Sequence, residues 1–130
     1  MIRTETLKVT TTGSAGSATG SATTPSAISG EILGVLLNFH ASLPATADTT
    51  IATAGEGTGP AYSILVVTNS ATDGYFAPRK VAVDAANSAI AASWAPFAVA
   101  DKLTISIAQG DALTNALVAT IFYDDKKGFG

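Results

Sequence analysis

A period-two alternation constrains this chain more than any other feature. In PFAVADKLTISIAQG, residues 96 to 110, Leu103, Ile105 and Ile107 point one way and Thr104 and Ser106 the other. A strand with one face on a core and one in water reads this way. The first ten residues repeat the pattern more weakly, with Arg3, Glu5, Leu7 and Val9 on one side. ISGEILGVLLNFHASL sets Leu33, Val35, Leu37 and Phe39 on one face, with Ile32 and Leu36 partly covering the other. Gly30, Gly34 and the Leu43-Pro44 step favour a long strand there over a helix.

Further segments extend the pattern. TTIATA at 49 to 54 is a short β-branched strand after a turn at 44 to 48. YSILVVT at 62 to 68 is apolar on both faces, as in a strand buried between layers, and ALVATIFYDD at 116 to 125 reads the same way. Pro78 inside YFAPRKVAVDA implies an edge position or a bulge. Ala86-Asn87-Ser88 is a tight turn, and SAIAASW at 88 to 94 is either a short strand or the chain's one helix candidate, stopped by Pro96.

Turn signals at roughly 8–14-residue spacing and about seven or eight strands predict an all-β antiparallel sandwich or jelly roll. Residues 10 to 26, TTTGSAGSATGSATTPS, have no charge and no large apolar side chain. They read either as a Gly/Ser linker or as an extended arm ordered by pairing with a sheet edge or another subunit. The expected organisation is a strand and arm over residues 1–27, a sandwich over 28–125 and a tail over 126–130.

Several functions are excluded by residue inventory. There is no cysteine, so disulfides, thiolate metal sites and cysteine nucleophiles drop out. His40 is the one histidine, which rules out a multi-histidine metal site within one chain. Seven Lys and Arg at a net charge of −3 form no basic stripe, so no nucleic-acid partner is expected. No apolar run approaches the ~20 residues of a membrane helix, since ILGVLLNF is broken by Gly34 and Asn38. MIRTETLKVT has no apolar signal region, and the expectation is synthesis in the cytoplasm.

Candidate residues for chemistry are few. His40 with Asp48 or Asp73 would be an acid–base pair, but a half-exposed histidine at a strand end is the simpler reading. No G-x-S-x-G elbow occurs. Asp48, Asp73, Asp84, Asp101 and Asp111 fall near predicted strand ends, where turn chemistry has carboxylates accept local backbone N–H groups. Asp124-Asp125 before Lys126-Lys127 reads as a solvated terminus. GEGTG at 55 to 59 lacks the following Lys of a phosphate-binding loop. Tyr62, Tyr75, Phe76, Trp94 and Tyr123 either pack or stack on sugar rings, and Trp94 and Tyr75 border predicted loops. The expectation is no enzyme, no cofactor and no catalytic or metal-binding residue.

Charged residues make up 13% of the chain, against about 25% in an average soluble domain. Interface cores are depleted in Lys, Glu and Asp in the same way. This low charge predicts that much of the surface is covered by sister subunits or a large partner.

SGEILGVLLNFHASLPATADTTI, YFAPRKVAVD and PFAVADKLTISIAQGDALTNALVATIFYDD together resemble small structural proteins of tailed-bacteriophage head modules. The resemblance covers residues 28 to 125 and rests on packing and turn patterns. It implies a jelly-roll decoration, or cement, protein on the outer capsid surface of a virion. Such proteins are often homotrimers that clamp neighbouring major capsid protein subunits, with arm and tail as clamps. Similar sandwiches occur in phage tails and fibres, which implies the alternative of a module binding a receptor or carbohydrate.

Overall fold

The computed structural model describes residues 1–56 and 60–126. In chain order the strands are β1 (Ile2–Val9), β2 (Ala18–Thr23), β3 (Ile28–Phe39), β4 (Asp48–Thr53), β5 (Ser63–Val67) and β6 (Gly74–Phe76). They continue with β7 (Arg79–Val83), β8 (Ala89–Pro96), β9 (Ala98–Asp101), β10 (Leu103–Gly110) and β11 (Leu117–Asp124). The described residues contain no helix. All pairings are antiparallel. One sheet runs β1-β11-β3-β6 with β9 also against β3, and the other runs β2-β10-β4-β5. The inner faces of the two sheets share one core, in which Val35, Leu37, Ile51, Ile105, Leu117 and Ile121 are fully buried. The fold is the expected all-β sandwich.

The period-two reading holds most cleanly in β10, where Leu103, Ile105 and Ile107 are buried beside the more open Thr104 and Ser106. In β3 the alternation changes phase. Ile32 is buried and Leu33 half-exposed, while Val35, Leu37 and Phe39 line the core. A register shift opposite Phe122 and Tyr123 inserts the extra residue that moves Leu33 off the face assigned to it.

Among the described residues eleven strands replace the seven or eight expected, for local reasons. Pro78 cannot donate to a ladder and splits one expected strand into β6 and β7. The helix candidate at 88 to 94 lies within β8. The apolar run at 62 to 68 is an edge strand and not a buried one: Ile64 faces the core, but Val66 is 58% exposed.

Residues 10 to 26 are ordered within the chain itself. β2 pairs with β10, from Thr104↔Thr23 to Ile107↔Gly20, and Thr12 exchanges both backbone hydrogen bonds with Thr19. The segment's small residues are what permit this folding back: a Cβ at Gly20 would sit 2.3 Å from the Thr10 carbonyl oxygen. Residues 1–27 are therefore two strands of the sandwich, with β1 pairing along the whole of β11. The sheet edge that orders the segment belongs to the same chain, and composition alone does not reveal that.

A third unit stands apart. β7 and β8 pair only with each other, from Arg79↔Pro96 to Val81↔Trp94 and, past a register shift with Ala92 at φ 57°, at Val83↔Ala89. Its turn is the predicted Ala86-Asn87-Ser88, with Asn87 at φ 62° and the Asp84 carboxylate accepting from the Ala86 and Ser88 amides at 2.9 and 3.0 Å. Residues 57–59 of the glycine-rich loop and 127–130 of the tail lie outside the described residues.

Candidate binding surfaces

The predicted acid–base pair does not assemble. His40 Nδ1 accepts from the Ser42 amide at 3.0 Å, and the His40 amide donates to the Ala116 carbonyl. Among the described residues no hydrogen bond joins His40 to Asp48 or Asp73. Asp73 accepts from the Phe39 amide at 2.7 Å, and Asp48 from the Asn69 amide at 2.9 Å and Gln109 Nε2 at 3.1 Å. Asp101 accepts from the Gly55 and Lys102 amides, and Asp111 from the Gly16 amide. All five strand-end aspartates are thus engaged by backbone N–H groups. Most of these bonds span distant parts of the sequence, so the carboxylates tether loops together as well as shaping turns. Among the described residues no three His, Asp or Glu side chains converge as a metal site would require.

Ionic groups concentrate at one end of the five-stranded sheet. The amino group of Met1 contacts Asp124 and Asp125, Arg3 contacts Asp125, and Lys126 contacts Glu31. The Lys126 amide, followed by the amino terminus, holds the Asp124 carboxyl below the usual carboxylate range. Glu31 holds the Lys126 ammonium above its usual value. Asp124, Asp125 and Lys126, read as merely solvated, knit β1 to β11 and β3, and Lys127 of that reading lies outside the described residues.

By contrast, the outer face of the four-stranded sheet is uncharged over most of its area. Register aligns Thr23, Thr104, Ala52 and Ser63 in one row, and Ser21, Ser106, Thr50 and Val66 in the next. Thr23 and Thr104 share a hydroxyl hydrogen bond of 2.9 Å. Asp48 sits at the end of this face.

The aromatics divide among three places. The Tyr62 ring stacks on Phe97 at 6.4 Å between centroids, and its hydroxyl donates to the Ala98 carbonyl at 2.7 Å. It separates two shallow clefts, of about 480 Å³ beside Thr53, Val99 and Asp101, and about 410 Å³ beside Ser63, Lys80 and Pro96. Burial, reinforced by the Asp101 charge, raises the Tyr62 phenol above its usual value. With the Asp101 oxygens turned to backbone amides, this cleft presents no paired nucleophile and base among its described residues.

Tyr75 lies on the outer face of the five-stranded sheet, in the row Thr6, Thr120, Leu36, Tyr75. Its ring fills the space above Gly34, where a Cβ would meet the Tyr75 hydroxyl at 1.9 Å, and tilts against Phe122 at 6.0 Å. The ring is thereby held in place while Tyr75 remains 58% exposed.

Trp94 lies on the β7–β8 hairpin and is 65% exposed. Residues directly opposite in an antiparallel pair share a face, so Arg79, Val81 and Val83 lie with Pro96, Trp94 and Ala89. Val81 is half-buried, Val83 is 43% exposed, and no residue of either hairpin strand is fully buried. The result is a ribbon with apolar side chains exposed around Val83 and Trp94, and with Ile90, 44% exposed, next to Ala89. Sequence reasoning singled out Trp94 and Tyr75 as bordering loops; Tyr75 does stand in β6 just after the 69–73 loop, whereas Trp94 lies inside β8. It missed Val81 and Val83, whose signal was their period-two spacing with Arg79 between two prolines.

Comparison with known proteins gives little beyond architecture. No family model and no curated protein matches the chain. Among solved structures it is similar to variants of CBM29-2, of the Family 29 Carbohydrate Binding Modules. One aligns over 95% of this chain and 81% of that chain at 11% identity, with a TM-score of 0.40. Another aligns over 94% and 80% at 10% identity, with a TM-score of 0.39. A likeness at this level carries neither a ligand nor a residue role to this chain.

Proposed function

We propose that this chain is a non-catalytic sandwich that works by association, as a subunit of a larger protein assembly. The setting we favour is the outer surface of a tailed-phage head, reached after synthesis in the host cytoplasm, with the major capsid protein and sister copies as partners. The observation that carries the reading is the β7–β8 hairpin. A two-stranded ribbon has marginal stability in water and requires a surface to pack on. This one leaves Val83 43% and Trp94 65% exposed. The uncharged outer face of the four-stranded sheet supports the same reading, because its small hydroxyl and methyl side chains lose little entropy when covered. The phage setting rests on the sequence resemblance. The mechanism is burial of small-residue and apolar surface across subunit junctions, opposing outward pressure from packaged DNA, with many copies multiplying a modest contact.

Particles carrying the protein are expected to open at a higher temperature, and to survive osmotic shock better, than particles lacking it. Thermal release of DNA measured on both decides the matter, and equal stability removes the mechanism.

Tyr75 favours a second reading, carbohydrate recognition. An immobilised aromatic ring beside the exposed Leu36, with the Thr120 and Thr6 hydroxyls further along the same row, offers a pyranose a stacking surface with polar partners at a distance. On this reading a glycan array returns specific hits that Tyr75→Ala abolishes while Trp94→Ala leaves them. An array without hits dismisses it.

A further inference from the structure

The hairpin surface also indicates what covers it. Its apolar face carries a single charged residue, Arg79, at the base, with Lys80 adjacent on the opposite face. At the other end stands Asp84, whose Oδ1 accepts both turn amides. Arg79 uses Nη1 for the Pro78 carbonyl at 3.0 Å and reaches the Leu33 carbonyl at 3.5 Å. Among the described residues, none of Arg79, Lys80 and Asp84 is in an ion pair. The hairpin is therefore electrically polar along its length, with a cationic base, an anionic tip and apolar Val81, Val83 and Trp94 between.

A surface of this kind is complementary to itself when reversed. Laid face to face in the same direction, two such hairpins would oppose like charges at both ends. Laid in opposite directions about a two-fold axis, each base meets the other tip, and the Val81–Val83–Trp94 strips coincide. An isologous contact requires exactly such self-complementarity, in which residue i meets j and j meets i. We propose that the hairpin face is covered by the same face of a second copy of this chain, with Arg79 of each against Asp84 of the other and Lys80 adding to the positive end from the reverse face. This deepens the assembly reading and rests on it, naming a two-fold pair of hairpins in place of the three-fold contact that the sequence resemblance implies.

Three large apolar side chains per copy, with Pro96 and Ala89 beside them, form the strip, far fewer than the roughly 20–30 residues a side of a standard stable interface. The free chain should then dimerise weakly, at about 10–100 μM, and more completely where an assembly raises the local concentration.

Trp94 is the chain's one tryptophan, so its emission reports directly on this face. Sedimentation equilibrium of the full chain from low micromolar to millimolar concentration is expected to move from 13.0 kDa toward twice that mass. Trp94 emission should shift to shorter wavelength along the same isotherm. Arg79→Glu with Lys80→Glu should weaken association at least tenfold with an unchanged far-ultraviolet spectrum. Arg79→Lys with Lys80→Arg should retain it. A chain that stays monomeric with unshifted emission at millimolar concentration overturns the proposal. A dimer whose Trp94 emission does not move, or a trimer, also overturns it but leaves the assembly reading standing. Loss of particle stabilisation, with hairpin dimerisation intact, removes the assembly reading alone.

Discussion

Gly30→Ala is expected to lower the stability of this protein by about 3–5 kcal/mol, a large share of the 5–15 kcal/mol typical of a domain. Two effects combine. Gly30 has φ +143°, a conformation side-chain-bearing residues rarely adopt, and such strain costs of order 1–3 kcal/mol. The added Cβ would also lie 2.0 Å from the Asp124 carbonyl oxygen and 2.8 Å from its carbon. Those atoms are backbone, locked by the pairing of β11 with β3, so no side chain can swing aside. Relieving the clash means displacing the end of β11, at an overpacking cost of about 1–3 kcal/mol. Gly16→Ala is the internal control. Gly16 also has positive φ, +79°, but nothing lies within 4 Å of its would-be Cβ. It should lose only about 1 kcal/mol. Urea denaturation of both variants checks the difference, and equal losses would show that close approach at Gly30 contributes nothing.

Gly30 also shows what the sequence could and could not disclose. Period two was legible because strand geometry acts on neighbouring residues: Leu103, Ile105 and Ile107 announce their face without reference to any other strand. Antiparallel all-β architecture follows from repeating that signal between turns. What depends on distant pairing was not legible. Nothing in TTTGSAGSATGSATTPS indicates that Thr12 will bond Thr19 or that Gly20 must admit the Thr10 carbonyl, because composition does not encode which edge a strand finds. The apolar run at 62 to 68 misled for the same reason, since sheet order decides whether a strand is central or at an edge. At the surfaces the sequence did better with aromatics than with their setting. It identified Trp94 and Tyr75, but that Trp94 sits on a ribbon pairing with neither sheet follows from topology alone. The aspartates do accept backbone N–H groups, but the local turn bonds expected of them hold for Asp84 and for the Lys102 amide on Asp101, while Asp48, Asp73 and Asp111 take remote amides.

Asp101 illustrates that last point and should yield the second large effect. It ends β9 with its side chain nearly enclosed, accepting from the Gly55 amide at 2.9 Å and the Lys102 amide at 2.7 Å. The same corner is closed by the Ala54 amide donating to the Lys102 carbonyl at 2.8 Å. Asp101→Ala strands two part-buried donors, that of Gly55 on an exposed residue, and an unsatisfied donor costs about 1–3 kcal/mol when fully buried. The expected loss is about 2–4 kcal/mol, less than the full sum because the neighbouring cleft admits water. Asp101→Asn keeps one acceptor oxygen and should fall between wild type and Ala. A second readout separates this role from simple loosening. Tyr62 titrates high first through burial and then through the Asp101 charge, so removing that charge should bring the phenol part of the way back toward its ordinary value. Asn should do this almost as fully as Ala, while costing less stability. If instead the phenol shift followed stability across the series, with Asn closer to wild type than to Ala, then Asp101 would act on Tyr62 through the fold of the corner and not through its charge.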